Sequence, residues 1–171
     1  MSDLRYIIVM GVSGCGKSTV AALLAGRLGW EFTEGDALHP ASNVEKMARG
    51  VPLDDFDRAP WLQQIARTIH AWRATGKPGV IACSSLRRRY REIIADGADD
   101  VRFVYLRGEF SLIEQRLAAR QGHYMPASLL ESQFATLEEP AGDEPAITMP
   151  AGAPVSKLVN EVLIALSMIG Y

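Results

Sequence analysis

The sequence predicts a three-layer α/β fold, a central parallel sheet with helices on both faces. Two observations carry that expectation. Short apolar runs alternate with longer stretches of helical periodicity, the pattern of βαβ units whose strands are buried on both sides. Between the first run and the first helical stretch lies Gly11-Val12-Ser13-Gly14-Cys15-Gly16-Lys17-Ser18, which fits G-x-x-x-x-G-K-S/T, the phosphate-binding loop, without a mismatch. A length of 171 residues suits one domain over 1–171 with a sizeable core.

The elements follow in order. Arg5 to Met10, with Ile7, Ile8 and Val9 in succession, reads as a buried strand. Ser18 to Leu28 reads as a helix, with Val20, Leu23, Leu24 and Leu28 near helical spacing. Trp30 to Glu34 is the second strand. A helix starts near Asp57, sets Trp61, Leu62, Ile65, Ile69 and Trp72 on one face, takes Pro60 in its first turn, and ends at Gly76-Lys77-Pro78. Strands follow at Gly79 to Cys83, Val101 to Leu106 and Ala146 to Met149. Phe110 to Met125 reads as helix and then loop, and Met125-Pro126 restarts a helix. Proline and glycine between Glu139 and Pro154 read as loops around the short last strand. The last helix shows a stripe of Val155, Leu158, Val159, Val162, Leu163, Leu166 and Ile169, expected in the core.

Bulk properties narrow the function classes. A net charge of −2 argues against nucleic acid or an anionic membrane as main partner. Two cysteines, Cys15 and Cys83, make no disulfide framework, and no secretory pattern opens the chain. A cytoplasmic protein is the expectation, since no apolar run approaches membrane-spanning length.

The loop dictates its own chemistry. Its glycines let backbone N–H groups turn inward, and these donors, from Gly11 through Thr19, together with the positive end of the following helix, hold phosphate oxygens. Lys17 would reach the β- and γ-phosphates of ATP, and the Ser18 hydroxyl would ligate Mg²⁺. Strands three and four end without the aspartate that often completes such a metal site, at Cys83-Ser84 and Leu106-Arg107. Magnesium would then keep phosphate oxygens and water as its other ligands.

Strand ends in a parallel sheet converge on one crevice. Asp36 follows the second strand, so it would stand near the γ-phosphate and take the proton of an acceptor hydroxyl, or else cap the next helix. His39 reads as a substrate contact or a turn residue. The stretch Asn43 to Arg58, which includes Arg49 and Arg58, mixes acids, bases and amides, as a polyhydroxy acid would require. Its bland alternative is a solvated surface. After strand three, Ser84 or Ser85 suits a helix N-cap and also faces the crevice, and Arg87, Arg88 and Arg91 offer cations for an anionic substrate. Arg116 and Arg120 share a helical face before Gly122-His123-Tyr124, which fits a lid over about 116–126 whose arginines neutralise the transferred phosphoryl group.

Several longer stretches act together. Gly35-Asp36-Ala37-Leu38-His39-Pro40, Asn43-Val44-Glu45-Lys46-Met47 and Pro52-Leu53-Asp54-Asp55-Phe56-Asp57-Arg58-Ala59-Pro60-Trp61-Leu62 resemble gluconokinases of the small phosphate-loop type. So do Cys83-Ser84-Ser85-Leu86-Arg87-Arg88-Arg89-Tyr90-Arg91, the run Arg116 to Met125, and Gln133-Phe134-Ala135-Thr136-Leu137-Glu138-Glu139-Pro140. The resemblance implies a fold like nucleoside monophosphate kinases and shikimate kinase. It implies ATP-dependent phosphorylation of the 6-hydroxyl of D-gluconate, with Lys17, Asp36, Arg116 and Arg120 catalytic. Asp36, His39, Arg49, Arg58, Ser84, Arg87, Arg88, Arg91 and His123 would contact the substrate. It also implies a homodimer serving the pentose phosphate or Entner–Doudoroff route. Cys15 stands where relatives often carry serine, and Arg87 and Arg88 where lysine is common. The alternatives are a shikimate or nucleoside monophosphate acceptor, or a nucleotide switch or ATPase module.

Overall fold

The computed structural model describes residues 3–120 and 127–170. Among the described residues the strands are β1 (Tyr6–Met10), β2 (Glu31–Glu34), β3 (Gly79–Ala82), β4 (Val101–Arg107) and β5 (Ala146–Pro150). They pair in the order β2-β3-β1-β4-β5, and every pairing is parallel. The helices are α1 (Lys17–Leu28), α2 (Ala41–Ala48), α3 (Asp55–Ala74), α4 (Arg88–Ala95), α5 (Phe110–Ala119), α6 (Ala127–Thr136) and α7 (Val155–Ser167). A 3-10 turn, Gly35–Leu38, follows β2.

Strand periodicity builds two cores. Ile7 and Val9 of β1, with Val80, Ala82, Val104 and Leu106, face α1 and α7 through Val20, Leu24, Leu158, Val162 and Leu166. Tyr6, Ile8 and Met10, with Ile81, Phe103 and Tyr105, face α3 and α4 through Trp61, Leu62, Ile65, Ile69, Tyr90 and Ile94. Residues alternate between faces because successive side chains on a strand point to opposite sides. Burying both faces explains why all five residues of β1 are buried. The result is the predicted three-layer arrangement. The phosphate loop leaves the central strand, so both flanks of the sheet's carboxyl edge are within its reach.

Three local expectations are corrected. The Trp61 helix begins at Asp55, two residues early, because Asp54 and Asp57 form a reciprocal capping box: the Asp54 carboxylate accepts from the Asp57 amide at 2.8 Å, and Asp57 accepts from the Asp54 amide at 3.0 Å. Pro60 therefore lies inside the helix rather than in its first turn. Ile169 falls beyond the end of α7 and is 43% exposed, so it leaves the core stripe. Neither Ser84 nor Ser85 caps α4; that position belongs to Arg87, whose side chain makes no capping bond.

Candidate active site

The chain leaves β1 at Gly11, where φ is +144° and a Cβ would sit 2.8 Å from Cys15 Sγ and 2.9 Å from the Leu106 carbonyl. No side chain fits there. The Gly11 amide donates to the Ser84 carbonyl at 3.2 Å, tying the loop to the end of β3. Cys15 is 1% exposed, so its thiol packs under the loop besides lending its backbone to it. α1 then starts from Gly16 in the left-handed region, with no side chain accepting from its first-turn amides and no acid in that turn. Those amides and the helix dipole are left for an anion. Lys17 Nζ donates to the Val12 carbonyl at 3.0 Å, and Ser18 and Thr19 are exposed at the helix start. This donor set suits a polyphosphate with a hard cation at the Ser18 hydroxyl.

On the β2–β3 side of the loop lies a cavity of about 320 Å³. Its lining includes Ser13, Lys17, Asp36, His39, Arg58, Trp61, Ser84 and Gln133. Gly35 lets the 3-10 turn close against β3, since a Cβ there would stand 2.3 Å from the Ala82 carbonyl. Trp61 is fully buried on α3 and donates Nε1–H to the Gly35 carbonyl at 2.8 Å. The His39 ring stacks on Trp61 with centroids 4.1 Å apart and planes at 17°. Asn43, 2% exposed, sets its Nδ2 3.1 Å from His39 Nδ1 and donates to the Asp57 carbonyl at 2.9 Å. Asp57 also accepts from Lys46 at 2.6 Å, a hydrogen bond that holds its carboxyl below the usual range. The Gly35–Pro40 and Asp54–Leu62 stretches thus interlock into one wall that presents Asp36, His39 and Arg58.

Arg58 is aimed by Tyr90. Its Nη1 donates to the phenol oxygen at 3.2 Å, and its guanidinium lies 5.6 Å from the ring centroid. The phenol in turn donates to Asp55, which also pairs with Arg89. Burial lowers the His39 pKa; the Asp36 charge opposes that shift and Arg58 adds to it. Ser85, with φ +49°, is buried, and its hydroxyl donates to the Cys83 carbonyl at 3.2 Å. Burial pushes the Cys83 thiol up to about 12, which leaves it a neutral core group.

The other arginines expected around the substrate stand elsewhere. Arg88 forks onto Asp143 at 2.7 and 3.1 Å. Arg91 is 2% exposed, pairs with Glu144 at 2.7 and 3.1 Å, and donates to the Ser85 carbonyl at 2.9 Å. Arg49 is exposed at the end of α2, and Arg87 Nε is buried without a partner among the described residues. None of these four lines the cavity. For Arg88 and Arg91 the reason is electrostatic: Asp143 and Glu144, in a segment that reads as mere loop, take both cations.

On the other side of the loop a groove of about 330 Å³ is lined by Gly14, Gly16, Thr19, Arg116 and Arg120, among others. Arg116 Nη2 donates to the Ala151 carbonyl at 2.8 Å. His123 and the 121–126 part of the expected lid lie outside the described residues. The cavity also holds residues that motif reading passed over. Gln133 of α6 grips Ser13 from both ends of its amide: Oε1 accepts the Ser13 N–H at 2.7 Å, and Nε2 donates to Ser13 Oγ at 3.0 Å. Its only sequence signal is its place in the Gln133–Pro140 stretch.

A phosphate loop on the central strand, with a cavity on one flank and a groove lined by Arg116 and Arg120 on the other, defines the class: a phosphate-loop kinase of the kind that acts on small molecules. The AAA domain family profile matches residues 7–140. Gluconokinase of Gluconobacter oxydans (strain 621H) is 49% identical over 160 residues, covering 94% of this chain and 89% of the relative. The crystal structure of a gluconokinase from Sinorhizobium meliloti 1021 superposes with a TM-score of 0.89 at 40% identity, covering 99% and 95% of the two chains. Shikimate kinase from Aquifex aeolicus, at 14% identity and a TM-score of 0.57, covers 95% of this chain and 96% of its own, and shares the fold. This chain belongs to the gluconokinase family. Among the described residues no helix is long and apolar enough to cross a membrane.

Proposed function

We propose that this protein transfers the γ-phosphate of ATP to the 6-hydroxyl of D-gluconate, giving 6-phosphogluconate and ADP. The observation that carries the reading is the cavity beside the phosphate loop, which joins Lys17 and Asp36 with one arginine, Arg58. Its volume suits a six-carbon acid, since small-molecule sites begin at roughly 300 Å³. Arg58, oriented by Tyr90, takes the carboxylate. Asp36 accepts a hydrogen bond from the acceptor hydroxyl, points its oxygen at the γ-phosphorus, and receives its proton as the new P–O bond forms. Lys17 and the loop amides hold the phosphates, and Arg116 and Arg120 face the charge of the transferred group. When bound, Mg²⁺ at Ser18 neutralises phosphate charge.

The same reading has one kinase domain over residues 1–171, cytoplasmic and homodimeric, feeding 6-phosphogluconate into the pentose phosphate or Entner–Doudoroff route. Sedimentation of the purified protein checks the dimer. ADP release is to be measured with gluconate, shikimate, nucleoside monophosphates and no acceptor. Stimulation by gluconate alone is the expected result. Equal hydrolysis with and without every acceptor would remove the kinase reading.

A further inference from the structure

The hydrogen bonds behind His39 determine where its proton sits. Asn43 has one end of its amide within 2.9 Å of the Asp57 carbonyl. A carbonyl only accepts, so that end is the NH2 group. The same nitrogen is 3.1 Å from His39 Nδ1. Facing a donor, Nδ1 must be the accepting nitrogen, and the ring proton of neutral His39 then resides on Nε2. The ring has little freedom to reverse. It stacks on Trp61, which is itself held by the Gly35 carbonyl, and Asn43 behind it is 2% exposed. Nε2 has no hydrogen-bond partner among the described residues, although His39 lines the cavity.

Resting on the gluconate reading, we propose that His39 is a specificity-determining residue, a neutral Nε2–H donor held in one tautomer that reads an oxygen lone pair of the sugar acid. The cavity then holds complementary probes. The Asp36 side chain offers carboxyl oxygens that accept, so it reads a hydroxyl hydrogen, while His39 reads an oxygen of the same polyol. A compound that lacks an oxygen at that place covers the donor without pairing it, which costs more than losing a contact. Protonation of the ring would set two donors against each other at Nδ1 and break the Asn43 bond. The charged groups around it are Asp36 on the 3-10 turn, Arg58 on α3 and Lys17 on α1. The matched Lys46–Asp57 pair stands behind Asn43. Burial, the largest influence, favours the neutral ring.

Two measurements test this. In ¹⁵N-labelled wild-type protein, long-range ¹H–¹⁵N correlation reports which ring nitrogen carries the proton, and the His39 signals are identified by their loss in His39→Gln. A neutral ring protonated at Nε2 at pH 7, becoming imidazolium only below the usual 6.5, is the expected result. An Nδ1–H tautomer or an imidazolium at pH 7 overturns the proposal. In kinetics, His39→Leu should raise the KM for gluconate about tenfold, the worth of one buried hydrogen bond, and leave the KM for ATP within about twofold. His39→Gln, which can return an amide N–H near the place of Nε2, should recover part of that loss. An unchanged gluconate KM in His39→Leu also overturns the proposal. A wild-type enzyme that ignores gluconate would sink the acceptor assignment while leaving the tautomer to be read independently.

Discussion

Replacing Glu144 with leucine should strand a cation inside the protein. The Arg91 side chain is 2% exposed and that of Glu144 7%. The guanidinium fork meets both carboxylate oxygens, at 2.7 and 3.1 Å, and among the described residues only the Ser85 carbonyl at 2.9 Å remains for it otherwise. Breaking a buried pair from one side costs about 3–5 kcal/mol. We take the lower end, about 3 kcal/mol, because the exposed Arg88–Asp143 pair beside it lets water approach. Replacing both partners, Arg91→Met with Glu144→Leu, should return the protein to within about 1 kcal/mol of wild type, since no buried charge is then left alone. Urea unfolding at neutral pH, with the m-value unchanged, measures both. A single substitution costing under about 1 kcal/mol would refute the reasoning, as would a double variant no better than the single. The acid limb checks the sign. Burial raises the Glu144 carboxyl, but the Arg91 hydrogen bonds, the Ala141 amide and neighbouring charge outweigh it, and the net shift is downward from 4.5. The pair's contribution is therefore complete above 4.5 and lost as pH falls through the folded value, so wild type and Glu144→Leu should converge in acid.

Three further outcomes are expected. Asp36→Asn should lower kcat by about 10²–10⁴ with little change in the KM for ATP, and unchanged turnover would take Asp36 out of proton transfer. Gly35→Ala forces a Cβ toward the Ala82 carbonyl, 2.3 Å away, and so displaces the turn that carries Asp36. Its kcat/KM for gluconate should drop about a hundredfold while binding of an ATP analogue persists, and equal losses for both ligands would contradict the placement. Gln133→Ala removes both hydrogen bonds to Ser13 and should cost about 1–2 kcal/mol in urea unfolding, with weaker binding of both substrates. A variant indistinguishable from wild type in both assays would show that α6 does not brace the loop.

The strands were legible because β1, β3 and β4 are apolar runs bounded by loop residues, and parallel strands buried on both faces need such runs. Asp36 and Ser84 were legible at the crevice because each follows a strand end, and Lys17 because it stands in the phosphate-loop motif. The fate of the arginines was not. Arg88 and Arg91 find carboxylates 55 and 53 residues further on, in a loop with no periodicity to announce it. Arg58, on α3, lines the cavity and donates to the Tyr90 phenol. Trp61 looked like one more core residue on a stripe, and it is that; its second role, as floor for the His39 ring, depends on the 3-10 turn folding back over it. Gln133 meets a backbone N–H 120 residues away, a pairing without a local pattern.

The position of β1, third of five strands, has a consequence for how such a molecule diverges. The cavity is assembled from the 3-10 turn, α2, α3, β3's end and α6 beside the phosphate loop, whereas Ala151, Ala153, Val155 and Leu158 border the opposite groove. On the kinase reading proposed above, mutational drift among those turn and helix residues can retune which alcohol is accepted while the phosphate loop stays intact. A library confined to Asp36–Trp61 is therefore the economical place to seek new acceptors, and recombination with a distant homologue should tolerate a seam running along β1.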